Sequence, residues 1–185
     1  MKQSWNQTLI TAQGDGTALT AAAAASCLPT AAKLTLPNNF FHNVGDVIKL
    51  RASGRISCAV TTPGTARFDL RLGGVVVFDT LAMNLNIIAK TNVHWILDVD
   101  LVVRSVGNGT TATLLGQGTW TSEAVIASPL PTVGGSGLFT VPYNTAPTAG
   151  TGFDSTSALA MDFFFTQTVA TGSMTLHQFA LHSLL

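Results

Sequence analysis

Charge is the scarcest ingredient of this 185-residue sequence. Lys, Arg, Asp and Glu together make up 10% of it, nine cations against nine anions, for a formal net charge of zero. An ordinary globular chain carries about 25% charged residues. The basic excess of a general nucleic-acid binder is therefore missing. So is the colloidal repulsion that keeps free chains apart, and part of the surface is expected to be buried against other subunits. The alternative is a soluble monomer with a threonine-coated surface. No apolar run approaches the ~18 residues of a transmembrane helix, although mean hydropathy is +0.39. Ala24-Ala25-Ser26-Cys27 has the outline of a bacterial lipoprotein cleavage site, but Gln13-Gly14-Asp15-Gly16 interrupts the apolar stretch such a signal needs. The expectation is a cytosolic product that engages neither membrane nor nucleic acid.

Cysteine is nearly absent as well. Cys27 and Cys58 form no CxxC, and no Cys/His zinc spacing occurs. In a reducing compartment both are expected as free thiols. Cys58 shares its parity with Ile48, Leu50 and Ile56 and reads as a small buried hydrophobe. At this length a single core can form without metal or disulfide, because roughly 70% of the unfolded surface is buried on folding.

What the chain does have is period-2 alternation. Ile48, Leu50, Ala52, Gly54, Ile56 and Cys58 alternate with Lys49, Arg51, Ser53, Arg55 and Ser57, predicting a half-buried strand over 46–58. Thr61-Thr62-Pro63-Gly64 is a turn signal. Ala66, Phe68, Leu70 and Leu72 then alternate with Arg67, Asp69 and Arg71, and Gly73-Gly74 supplies a two-residue hairpin into Val75–Asp79. Residues 91–106 give the longest candidate, with Val93, Trp95, Leu97, Val99, Leu101 and Val103 inward and His94, Asp98, Asp100 and Arg104 outward. Gly107-Asn108-Gly109 turns it into 110–121, where Gly116 and Gly118 leave room for bulky neighbours or close backbone approach. Residues 157–168 and 173–184 form the last pair, joined at Ala170-Thr171-Gly172. Strands spaced this way, without helical periodicity, make an all-β antiparallel sandwich or barrel. Residues 1–40, carrying Trp5 and the Ala21–Ala25 run, read as an N-terminal arm or edge strands. Residues 41–185 read as the sandwich domain. Its long loop, 122–156, is rich in Pro, Gly, Ser and Thr, and the embedded Leu138, Phe139, Val141 and Tyr143 suggest that it packs on something.

Catalytic signals are weak. Gly134-Gly135-Ser136-Gly137 is not a G-x-S-x-G elbow and sits in a loop, so turn glycines explain it better than a nucleophilic Ser136. His177 and His182, five apart on one regular strand, face opposite sides; His42 and His94 stand alone. Asp98 and Asp100 share a face with carboxylates ~7 Å apart. That pair could begin a calcium or glycosidase site, but no third acid is near, and cross-strand pairing with Arg is the simpler reading. Lys49, Arg51, Arg55, Arg67 and Arg71 gather five cations, which could meet an acidic partner or simply protect edges. Phe163-Phe164-Phe165 cannot all face one core. One parity is expected in the core, and the other to meet an arm, a loop or, preferentially, a neighbouring subunit.

Several segments together resemble small virion proteins of tailed bacteriophages. They are Asp15-Gly16-Thr17-Ala18-Leu19, Leu28-Pro29, Leu36-Pro37 with Asn39-Phe40-Phe41, Val44-Gly45-Asp46 and Arg51-Ala52-Ser53-Gly54-Arg55-Ile56-Ser57. The likeness continues through Thr61-Thr62-Pro63-Gly64-Thr65, Phe68-Asp69-Leu70-Arg71-Leu72-Gly73, the Trp95–Val103 strand and Leu176-His177-Gln178-Phe179. It spans most of the chain except 122–156, and it implies a jelly-roll-like β-sandwich, often trimeric, on the head as a decoration subunit or in fibres and tail tips. It transfers no catalytic residue. The expectation is a non-enzymatic virion protein without cofactor or metal, assembled in the host cytoplasm as a homotrimer. It would bind the major capsid protein with its arm and long loop as a decoration or cement subunit. A tail or fibre component with a receptor-binding role is the first rival, and a carbohydrate-binding module or glycan-active enzyme the second. The latter would need a cleft bringing acids and aromatics together, from a chain with three Trp and one Tyr.

Overall fold

The computed structural model describes residues 6–59, 62–125 and 137–184, and over these the chain is an antiparallel β-sandwich. Among the described residues there is no α-helix, only one 3-10 turn at Thr30–Ala32. The strands follow the alternation of the sequence closely. They are β4 (Val47–Cys58), β5 (Thr65–Leu72), β6 (Val75–Asp79), β8 (Lys90–Ser105), β9 (Thr113–Ser122), β11 (Leu159–Gln167) and β12 (Ser173–Leu184). Gly73 and Gly74 carry φ of 57° and 85°, both left-handed, as the tight hairpin between β5 and β6 requires.

Short strands complete the two sheets: β1 (Asn6–Thr11), β2 (Ala24–Ser26), β3 (Leu34–Leu36), β7 (Met83–Asn84) and β10 (Leu138–Val141). Sheet one runs β1-β12-β4-β8-β9-β10, and sheet two runs β2-β11-β5-β6 with β3 beside β11 and β7 beside β5. Counting β1, β2, β4, β5, β6, β8, β11 and β12 as strands one to eight, the sheets read 1-8-3-6 and 2-7-4-5. That is the strand order of a jelly roll, with β9 and β10 widening the first sheet.

Inward side chains of both sheets meet around Phe68 on β5. Its ring lies 4.7 Å from Trp95 and 4.9 Å from Trp120 across the sandwich, and 5.2 Å from both Phe163 and Phe165 on the neighbouring strand. All five side chains are essentially without solvent contact. Glycines set how closely the layers and strands approach. A Cβ on Gly116 would fall 2.1 Å from the Phe78 ring, and one on Gly118 would fall 2.0 Å from the Asp98 carbonyl oxygen. Both roles expected of that small-residue face are therefore present, one at each glycine.

Residues 6–36 are edge strands and not a free arm. β1 pairs with β12, and Ala12, Gly16 and Leu19 go on donating to the carbonyls of Phe179, Leu176 and Met174. The chain then crosses to sheet two, where β2 and β3 share one edge of β11. Cys27, Leu28, Ala32 and Leu36 are part of the core. Apolar burial outweighs any tendency of this segment to detach. The long loop is likewise folded onto its own sandwich where it is described. β10 pairs with β9, Tyr143 N–H donates to the Thr80 carbonyl, Gly150 N–H to that of Leu114, and Phe153 pairs with Ala112. Residues 126–136, the remainder of that loop, lie outside the described residues, as do Trp5 and Thr61.

Gly54 provides a clean test of the packing. A Cβ there would sit 2.0 Å from the Thr175 carbonyl oxygen, beside the β-bulge between Leu176 and Gln178, whereas one on Gly14 meets nothing within 4 Å. Gly54→Ala is expected to cost about 1–3 kcal/mol, a fall in Tm of roughly 2–12 °C for a chain of this size. Gly14→Ala should leave Tm unchanged, with both variants read by thermal denaturation.

Candidate interaction face

The outward faces of the two sheets hold most of the charge, and register decides what each charge meets. On sheet one, Lys49 stands opposite Asp100 and Arg51 opposite Asp98. The pairs close at 3.5 Å and 3.6 Å, with all four side chains about half exposed or more. The carboxylates of Asp98 and Asp100 thus share a face, as their parity predicts, and each is matched by the cation across the ladder. Among the described residues no group of three or more His, Cys, Asp or Glu comes together in a metal-binding arrangement.

Registered pairing carries these rows across the sheet. His182, Lys49, Asp100 and Gln117 form one row, and Ala180, Arg51, Asp98 and Thr119 the next. Beside them runs an apolar row of Leu184, Val47, Val102 and Leu115, all half-buried. The charged rows border a shallow depression of about 410 Å³ lined by Lys49, Arg51, Asp98, Asp100 and His182. No aromatic ring of Phe, Tyr or Trp stands in these rows, because Trp95 and Trp120 both point into the core.

The outer face of sheet two is built differently. Asp69, whose alternation predicts an outward and solvated side chain, is fully buried. Arg71 lies over it with Nε 2.5 Å from Oδ1 and Nη2 3.4 Å from Oδ2, and the hydrogen bond to Asp69 raises the Arg71 pKa further. The same guanidinium covers the Phe164 ring at 3.7 Å from its centroid. Phe163 and Phe165 enter the core, as alternation requires. Phe164, the outward-facing member of the triplet, stays half-buried under this chain's own arginine. Arg67 pairs with Asp79 at 3.0 Å, and Lys33 with Asp162 at 2.8 Å. Burial raises the Asp79 carboxyl above its usual range, a shift opposed by the Leu81 N–H and by Arg67.

The five-cation cluster therefore does not form one basic surface. Lys49, Arg51 and Arg55 project from sheet one, Arg67 and Arg71 from sheet two, and the sandwich lies between them. The chain changes sheets between β4 and β5, which puts these sequence neighbours on opposite faces of the sandwich. The histidines are separated too. His177 meets Asp15 at 2.8 Å beside the bulge in β12, His182 meets Thr8 at 3.1 Å, His94 stands opposite Arg55, and His42 is exposed. Cys27 and Cys58 are free and buried, and burial raises both thiols above their ordinary pKa. Ser136 lies outside the described residues.

No protein-family model matches the sequence, and no curated protein matches it. Among solved structures, the CBM2 module of the evolved Dit of Lactobacillus casei BL23 phage J-1 is similar over 99% of this chain and 98% of that one. The TM-score is 0.37 and the identity 9%. A likeness of that depth assigns no function.

The two faces are expected to respond differently to loss of an arginine. Arg71→Ala leaves the buried Asp69 unpaired and the Phe164 ring uncovered, and should cost about 3 kcal/mol or more. Arg51→Ala removes only an exposed pair and should cost less than about 1 kcal/mol. Urea denaturation of the two variants checks the contrast.

Proposed function

We propose that this chain is a non-catalytic structural subunit of a tailed-bacteriophage particle, seated on the head as a decoration subunit against the major capsid protein. The observation that carries this reading is the internal cancellation of charge. Among the described residues, six ion pairs engage twelve of the chain's eighteen formally charged side chains. With most charges answered inside the chain, the sandwich presents little net field, a surface poorly suited to attracting a charged small substrate. Exposed Val44 and Val106 flank one end of the β4–β8 pair, and exposed Ile88 and Leu138 lie toward the other. They offer apolar contacts at both ends.

The jelly-roll strand order and the sequence resemblance to phage virion proteins support the same context. Residues 6–36 and 137–153 are held within the sandwich, which favours a mode of attachment other than a clamp of arm and loop. Attachment would instead come from faces and ends of a preformed domain. Copies bound side by side raise each other's effective concentration, so individually weak contacts suffice.

Purified protein is expected to rebind heads from which it has been removed and to raise the temperature at which they release their contents. Labelled protein that binds host cells or tail tips and leaves stripped heads bare would replace the decoration reading with the tail or fibre alternative.

A further inference from the structure

We propose that the outer face of sheet one is a homotypic interface. Two copies pack face to face about a twofold axis that lies in the interface and runs along the strands, between β4 and β8. This pairing goes beyond the virion reading and does not depend on where in a particle the chain sits.

The argument comes from the register. A twofold axis along the β4–β8 gap places β4 of one copy over β8 of the other, at the same height along the strands. Lys49 of each copy then lies over Asp100 of its mate, and Arg51 over Asp98, because these residues are direct cross-strand partners. Each cation faces one anion within its chain and one across the interface, giving a closed alternation of charge. The apolar row obeys the same symmetry. Val47 falls over Val102 and Leu184 over Leu115, since the four stand in one registered row with the gap at its centre. Farther along, Arg55 would face His94, leaving that cation without an acid.

The perpendicular choice of axis in the same plane fails on charge. A twofold axis across the strands, between the two charged rows, would place Lys49 over Arg51 and Asp98 over Asp100. Like charges would meet at every contact, an arrangement that costs several kcal/mol in interfaces generally. Size is also adequate. Four strands over eight residues each, with the shorter β1 and β10 at the edges, spaced ~4.8 Å and rising ~3.3 Å per residue, present a face of roughly 670 Å² per copy, within the range around the ~800 Å² per partner of a standard stable interface. Aligned sheets pack about 10 Å apart with strands about 30° from parallel, a distance that Lys and Arg side chains span. A twofold pattern differs from the trimer that the family resemblance implies, and the two predict different masses.

Sedimentation equilibrium of the full chain decides between them. At about ten micromolar, within reach of an interface of standard size, the protein is expected at twice its 19.2 kDa. The variant Lys49→Asp/Arg51→Asp carries an all-acidic face, and Asp98→Lys/Asp100→Lys an all-basic one. Each alone should lose at least about tenfold in dimer affinity, while circular dichroism and thermal melting show it folded. An equimolar mixture of the two should restore a species of twice the monomer mass. A wild-type monomer or trimer would overturn the proposal. So would charge variants that keep wild-type affinity, or a folded mixture that stays monomeric.

Discussion

The pairing of β4 with β8 is the constraint on which the rest of the molecule depends. It is the centre of sheet one, with β12 on one side and β9 on the other. Because side chains alternate with period two, one choice of register determines both faces together. Inward it sets Gly54 against Trp95 and Leu50 against Val99, so Trp95 can reach Phe68 in the opposite sheet. Outward it sets Lys49 against Asp100 and Arg51 against Asp98. A slip of β8 by one residue would turn Trp95 outward and carry Asp98 and Asp100 into the core. Core and surface therefore select the same register.

That agreement explains how so hydropathic a chain with so little charge can present an orderly surface. Its few charges are placed where a partner stands across the ladder, or, in Asp69 and Arg71, where an arginine seals a buried carboxylate and an aromatic ring together. What is left outside is threonine, alanine and rows of half-buried aliphatic side chains.

Much of the sandwich was legible in the sequence because its information is local. The alternation through β4, β5, β8 and β12 and the Gly73-Gly74 hairpin placed those elements within a few residues. The Arg51–Asp98 ladder pair also follows from parity, once the strands are allowed to be neighbours. What was not legible depends on distant pairing. The sequence left residues 1–40 as an arm or edge strands and could not say which edges residues 6–36 close, since their partners lie in β11 and β12 at the other end of the chain. The burial of Asp69 depends on Arg71 folding back over it, and the shielding of Phe164 on that same arginine arriving from β5. The cations at 49–71 look like one patch only until the chain is seen to change layers between β4 and β5.

The most direct test of the account is a reconstruction of the intact particle at a resolution that resolves strands. The account predicts a jelly-roll density on the head for this chain, touching the capsid through its faces and ends, with residues 6–36 folded along the sandwich edges and no arm extended. Absence of the chain from the particle, or its presence only as an enzyme domain engaged on a glycan, would contradict it.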